Sequence, residues 1–63
     1  MIEVTYRDQH WELPGRQTVR EVIESVGLNP ATVLAVRNGK LVFDSEMLGD
    51  DDELKLIAVI SGG

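Results

Sequence analysis

Between Thr18 and Gly27 the chain spells out both ends of one short helix, and that stretch decides most of what the fold can be. Thr18-Val19-Arg20-Glu21 fits a capping box, in which the threonine hydroxyl accepts a free backbone N–H while the glutamate reaches back to the cap. Val19, Val22, Ile23 and Val26 follow at i, i+3, i+4 and i+7, one apolar stripe of about two turns. Gly27 stands where a glycine closes a helix, Leu28 is placed for the accompanying apolar contact, and Asn29-Pro30 rules out continuation.

The rest of the chain reads as strands. Ile2-Glu3-Val4-Thr5-Tyr6 alternates apolar and polar, and His10 to Leu13 alternates again after a turn at Arg7-Asp8-Gln9, so the two segments predict a hairpin. Trp11 and Leu13 fall on one face, and Trp11 either completes the core or joins an exposed patch. Pro14-Gly15 stops the second strand. Val33-Leu34-Ala35-Val36 is a nearly all-apolar run, which predicts a strand covered on both sides. Asn38-Gly39 is a type I′ hairpin signal, with Lys40-Leu41-Val42 as the return strand. Phe43 to Leu48 is irregular, and Met47 and Leu48 are expected to tuck under the sheet. After the polar turn Gly49-Asp50-Asp51-Asp52, a long strand from Glu53 to Ile60 runs straight into Ser61-Gly62-Gly63.

One helix among these strands packs most economically across one face of a mixed sheet. The expected class is α+β: a β-grasp layout with four to five strands, a single domain over residues 1–63 and a flexible tail over 61–63. On the last strand Leu54, Leu56 and Ala58 should face the helix, leaving Lys55, Ile57 and Val59 on the open face of the sheet.

Composition narrows the function. A chain of 63 residues without cysteine has neither a disulfide framework nor a thiolate metal site to support a small core. A net charge of −5 argues against nucleic acid, whose phosphates call for a basic face. No apolar run approaches the roughly 20 residues that span a bilayer, no targeting signal opens the chain, and a cytoplasmic protein is expected. Asp50-Asp51-Asp52-Glu53 lacks the alternating ligands of a calcium loop and reads as a solvated turn. His10 has no partner at triad spacing and reads as a surface histidine at a strand edge. No catalytic group, metal ligand set or bound cofactor is expected within the chain.

The end of the sequence is different. A terminal glycine pair arises by chance in about one chain in 200. Glycine takes backbone angles closed to other residues and has no side chain, so Gly62-Gly63 can thread a narrow channel and present an unhindered carboxylate. A partner enzyme could bring that carboxylate to the α-phosphate of ATP and convert it into an acyl-adenylate. Sulfur would then ride as a terminal thiocarboxylate, in keeping with the absence of cysteine.

Taken together, the capped helix Thr18 to Gly27 with Leu28-Asn29-Pro30, the segment Val33 to Gly39, the turn Gly49 to Glu53 and the ending Ile60-Ser61-Gly62-Gly63 resemble the MoaD/ThiS family of ubiquitin-like sulfur carriers over the whole chain. The resemblance implies a carrier rather than an enzyme. Gly63 would be adenylated by a ubiquitin-activating-type adenylyltransferase that uses ATP and magnesium, with Gly62 and Ser61 as the threading tail. A cysteine desulfurase or rhodanese-like protein would supply the sulfur. Acceptors would be 2-thiouridine in tRNA, thiamine thiazole or molybdopterin, and the Ile-Ser-Gly-Gly ending is nearest the tRNA-thiolation type. The family's docking surface maps onto Ile57 and Val59 on the open face, and the free protein is expected to be a monomer. Two other readings use the same features: a protein modifier that forms isopeptide bonds through Gly63, and a β-grasp interaction module whose tail has no chemistry.

Overall fold

The alternation in the sequence is carried into space strand by strand. The computed structural model describes residues 1–59. In it β1 (Ile2–Tyr6) and β2 (Gln9–Leu13) form an antiparallel hairpin, with Ile2 and Val4 buried and Glu3 and Thr5 exposed. β3 (Gln17–Thr18) leads directly into α1 (Val19–Ser25), followed by β4 (Val33–Arg37), β5 (Lys40–Val42), β6 (Met47–Leu48) and β7 (Glu53–Ala58). Five strands make one sheet in the order β2-β1-β7-β4-β5, while β3 and β6 form a separate ribbon. The last strand is therefore the central one, parallel to β1 and antiparallel to β4. This is the expected mixed sheet with one helix on one face.

The helix is short enough to be marginal alone, and its ends show what holds it. Thr18 accepts from the Glu21 N–H at 3.1 Å, and the Thr18 N–H donates to the Glu21 carboxylate at 2.9 Å, which completes the capping box. The N–H groups of Val19 and Arg20, which have no partner inside the helix, donate to the carbonyls of Glu46 and Asp44, both at 2.9 Å. At the other end the Gly27 N–H donates to the Glu24 carbonyl and the Leu28 N–H to the Ile23 carbonyl, a Schellman closure with Gly27 at φ 83°. Thr18→Ala, which removes one half of the box, is expected to cost about 1 kcal/mol, read as a lower urea midpoint at unchanged slope.

Packing is one-sided. Val19, Val22 and Ile23 of α1 close over Ile2, Val4, Val33, Ala35, Leu54 and Leu56 of the sheet, with Leu48 of β6 completing the buried core. Trp11, Leu13 and Val26 pack half-buried against its edge, which assigns Trp11 to the core side. The expectation that the run Val33 to Val36 is covered on both faces is corrected here. Val33 and Ala35 are buried, but Leu34 is exposed and Val36 half-exposed, because α1, the one helix among the described residues, covers the other face. Met47 also differs from expectation: Leu48 is fully buried, whereas Met47 points outward from the β3–β6 ribbon. Arg37 ties this segment down, its Nη1 lying 3.3 Å from the Met47 carbonyl, 3.5 Å from the Glu46 carboxylate and 3.9 Å from Asp52.

Candidate functional site

The central place of β7 fixes where the chain leaves the sheet. Tyr6 is in register with Leu56, and Val33 with Ala58, so β7 finishes at the end where β1 finishes and β4 starts. The ladder continues one bond further, with the Val59 N–H donating to the Thr32 carbonyl at 2.9 Å. That carbonyl is itself held by a turn in which the Asn29 side chain accepts from the Ala31 N–H, and the Asn29 carbonyl accepts from the Thr32 N–H. Val59, the last of the described residues, is thus held at a fixed backbone position. Ser61, Gly62 and Gly63, the residues to which the sequence assigns the chemistry, lie outside the described residues, as does Ile60.

Beside that exit the open face of the sheet is apolar. Ile57 (44% exposed) and Val59 (45%) point away from the helix, as their alternation requires, and Leu34 (44%) stands directly across from Ile57. Val36 and Leu41, cross-strand partners on β4 and β5, continue the row towards the sheet edge. Large apolar side chains are contiguous here, unlike the scattered exposed residues found on any protein. Sequence reasoning found Ile57 and Val59 but not Leu34, Val36 and Leu41. The signal lay in Asn38-Gly39: both residues have positive φ (52° and 82°), and their two-residue turn pairs Arg37 with Lys40 and Val36 with Leu41.

The other half of the face is polar. Glu12, Glu3 and Glu53 are successive cross-strand neighbours on β2, β1 and β7, a like-charge row that works against the pairing. His10 lies 3.7 Å from Glu3, both side chains half-exposed, which fits a surface histidine and no triad. A trough of about 550 Å³ runs between the halves, lined by Glu3, Thr5 and His10 on one side and Val36 and Ile57 on the other. In the acidic turn Asp52 accepts the Gly49 N–H at 2.6 Å and approaches Arg37, so the turn closes on its own groups. Among the described residues no three of His, Asp and Glu converge as metal ligands, and no helix is long and apolar enough to cross a membrane.

A mixed five-stranded sheet with one helix across it and the final strand at its centre defines a ubiquitin-like β-grasp domain. The fold agrees with that of a ubiquitin-like protein from the hyperthermophilic archaeon Caldiarchaeum subterraneum, which superposes with a TM-score of 0.53 over 97% of both chains at 21% identity. In sequence, the model of the ThiS family matches residues 1–63, and the chain belongs to that family. It is 42% identical over 52 residues to the sulfur carrier protein TtuB of Thermus thermophilus, a match covering 82% of this chain and 80% of the relative.

Proposed function

We propose that the chain is a sulfur carrier whose working group is the terminal carboxylate of Gly63. The observation that carries this reading is an apolar face of Ile57, Val59, Leu34 and Val36 at the end of the described residues, four residues in sequence before Gly63. A partner that covers the face receives the tail. Family membership and the likeness to a sulfur carrier protein support the same reading.

In the proposed cycle a ubiquitin-activating-type adenylyltransferase binds the face in the cytoplasm and holds the Gly63 carboxylate in line with the α-phosphate of ATP, using its own magnesium ion. Carboxylate oxygen attacks phosphorus, pyrophosphate leaves, and an acyl-adenylate forms. The terminal sulfur of a persulfide, from a cysteine desulfurase or rhodanese-like protein, displaces AMP. A second thiol then cleaves the resulting disulfide reductively, leaving the thiocarboxylate. Fixing two reactants in one geometry lowers such barriers by about 7–11 kcal/mol, and this chain contributes by docking and threading, with none of its side chains taking part. The ending Ile60-Ser61-Gly62-Gly63 favours the 2-thiouridine of tRNA as the sulfur's destination over thiazole or molybdopterin.

Intact mass tests the reading directly. After incubation with ATP, a sulfide source and lysate from its own cells, the chain is expected to exchange one oxygen for sulfur. Adducts that survive boiling and reductant, with no thiocarboxylate, would instead make it a protein modifier. Docking is tested separately by Ile57→Asp. A charge in the centre of the apolar row is expected to raise the KM of the activating enzyme by about ten- to a hundredfold, in the range of interface hot spots. Because Ile57 is already nearly half exposed, the urea midpoint should move little. An unchanged KM would remove the open face from the docking surface.

A further inference from the structure

We infer that the trough on the open face of the sheet seats a basic side chain of the activating enzyme, best an arginine, whose stem lies on the apolar wall and whose charge meets Glu3 and Glu53. The inference rests on the carrier reading and adds to it what the partner must carry. Alternation and register put the groups together. Ile2, Val4, Leu54 and Leu56 are buried under the helix, so the exposed Glu3, Thr5, Glu53 and Lys55 point to the other face. There Glu3 stands between Glu12 and Glu53, and the next row, two residues on, runs His10, Thr5, Lys55, Val36. The trough of about 550 Å³ lies over both rows, with Glu3 and Glu53 in its lining along with Val36 and Ile57. Positions two residues apart on a strand are separated by about 7 Å, a distance that an arginine side chain spans.

The chain itself leaves these carboxylates unanswered. Among the described residues Glu12, Glu53 and Lys55 make no ion pair, and Glu3 is approached only by His10, at 3.7 Å between half-exposed side chains. Arg20 and Arg37 are engaged elsewhere, by Glu24 and by Glu46 and Asp52. One lysine and one histidine thus face three glutamates that repel one another across the strands, an arrangement that costs the sheet stability. The same charge selects what covers the apolar half. A second copy would bring the same acidic row and a net charge of −5, and a nucleic acid would bring phosphates, so both are repelled. The carboxylates do not converge as metal ligands among the described residues, which leaves a side-chain cation. A protein surface with apolar groups over Ile57 and Leu34 and a cation over Glu3 and Glu53 complements both halves at once. The apolar stem of arginine suits the Val36 wall, and its planar fork suits two neighbouring carboxylates.

The test uses the full chain and the adenylyltransferase purified from the same cells, with ATP–pyrophosphate exchange as readout. Glu3→Gln combined with Glu53→Gln is expected to raise KM about tenfold with kcat retained, and to flatten the salt dependence of KM, since exposed charge pairs are screened. Its melting temperature should equal or exceed the parent's, because the repulsion between β1 and β7 is relieved. Glu3→Lys should raise KM further while stabilising the sheet, a combination that a merely structural role would not produce. Glu24→Gln with Asp44→Asn removes the same charge from the helix side and should leave KM at the parent value. A Glu3→Gln/Glu53→Gln chain that folds and keeps the parent KM overturns the inference. So does an equal rise in the helix-side pair, which would make net charge the cause. In either case the carrier reading stands. Failure of the parent chain itself to support exchange overturns both.

Discussion

Extending the chain by one alanine beyond Gly63 is expected to abolish charging, by a factor of about 1,000 or more, and to leave the melting temperature where it was. The argument is geometric. One added residue moves the carboxylate by about 3.5 Å along the tail and brings a Cβ to the position that a bare glycine is meant to occupy. Misplacement of a reacting atom by about 1 Å already costs roughly a hundredfold in rate. The fold should not notice, because the last backbone bond of the described residues, from Val59 to Thr32, lies four residues earlier. Two companion variants separate the causes. Gly63→Ala keeps the length and adds only the Cβ, so its loss measures the width of the partner's channel. A carboxamide at Gly63 keeps both length and shape and removes the nucleophilic oxygen, so it should be fully inactive and still compete for docking. An extended chain charged at the parent rate would mean that the tail does not enter a closed site, and the reading of Gly63 as carrier would fall.

Much of the fold could be read from local chemistry, because its signals lie within a few residues of each other. Thr18 and Glu21 complete their box within one four-residue stretch, Gly27 and Leu28 close the helix on Glu24 and Ile23, and Asn38-Gly39 sets a hairpin register by itself. What stayed illegible depends on partners distant in sequence. The β3–β6 ribbon joins two pairs of residues, too few to show any period, and the segment before β6 is ordered by the bonds from Val19 and Arg20 to Glu46 and Asp44. Neither end of those bonds announces the other. The side-on packing of Gly15 against Asp50 is of the same kind. A Cβ on Gly15 would come within 2.6 Å of the Asp50 Cα, so this glycine serves a close approach of two loops as well as ending β2.

The candidate site divides in the same way. Ile57 and Val59 follow from alternation along β7, whereas Leu34 was hidden inside a run whose continuity reads as burial on both faces. Continuity means double burial only when a second layer exists, and the described residues hold one helix. The outward half of an all-apolar strand in such a fold is therefore left facing solvent. Here Leu34 and Val36 double the width of the apolar row that Ile57 and Val59 begin.

Leu54→Ala is expected to shift the urea midpoint far downward, by much more than any substitution on the open face of the same strand. Leu54 sits on the central strand, 1% exposed, in register with Val4 on one side and Arg37 on the other, and in the same buried cluster as Val19, Val22 and Ile23. Truncating a buried leucine costs about 2.7–5 kcal/mol, the transfer of the lost methyl groups plus the cavity left behind. At about 0.05–0.15 kcal/mol per residue, a chain of 63 residues has roughly 3–9 kcal/mol in all. One substitution thus removes between a third and all of the stability. No disulfide is available to limit the loss, since the chain has no cysteine. On the same strand Ile57→Ala should cost under about 1 kcal/mol, because its side chain is already half in water. The pair makes a sharp comparison under urea titration, where the two midpoints should differ widely with similar slopes. A loss below about 1 kcal/mol for Leu54→Ala, far under the usual range for a buried leucine, would mean that the two faces of β7 are not the core and the partner surface assigned to them, and that the tail's exit beside Ile57 and Val59 had been read from the wrong side of the sheet.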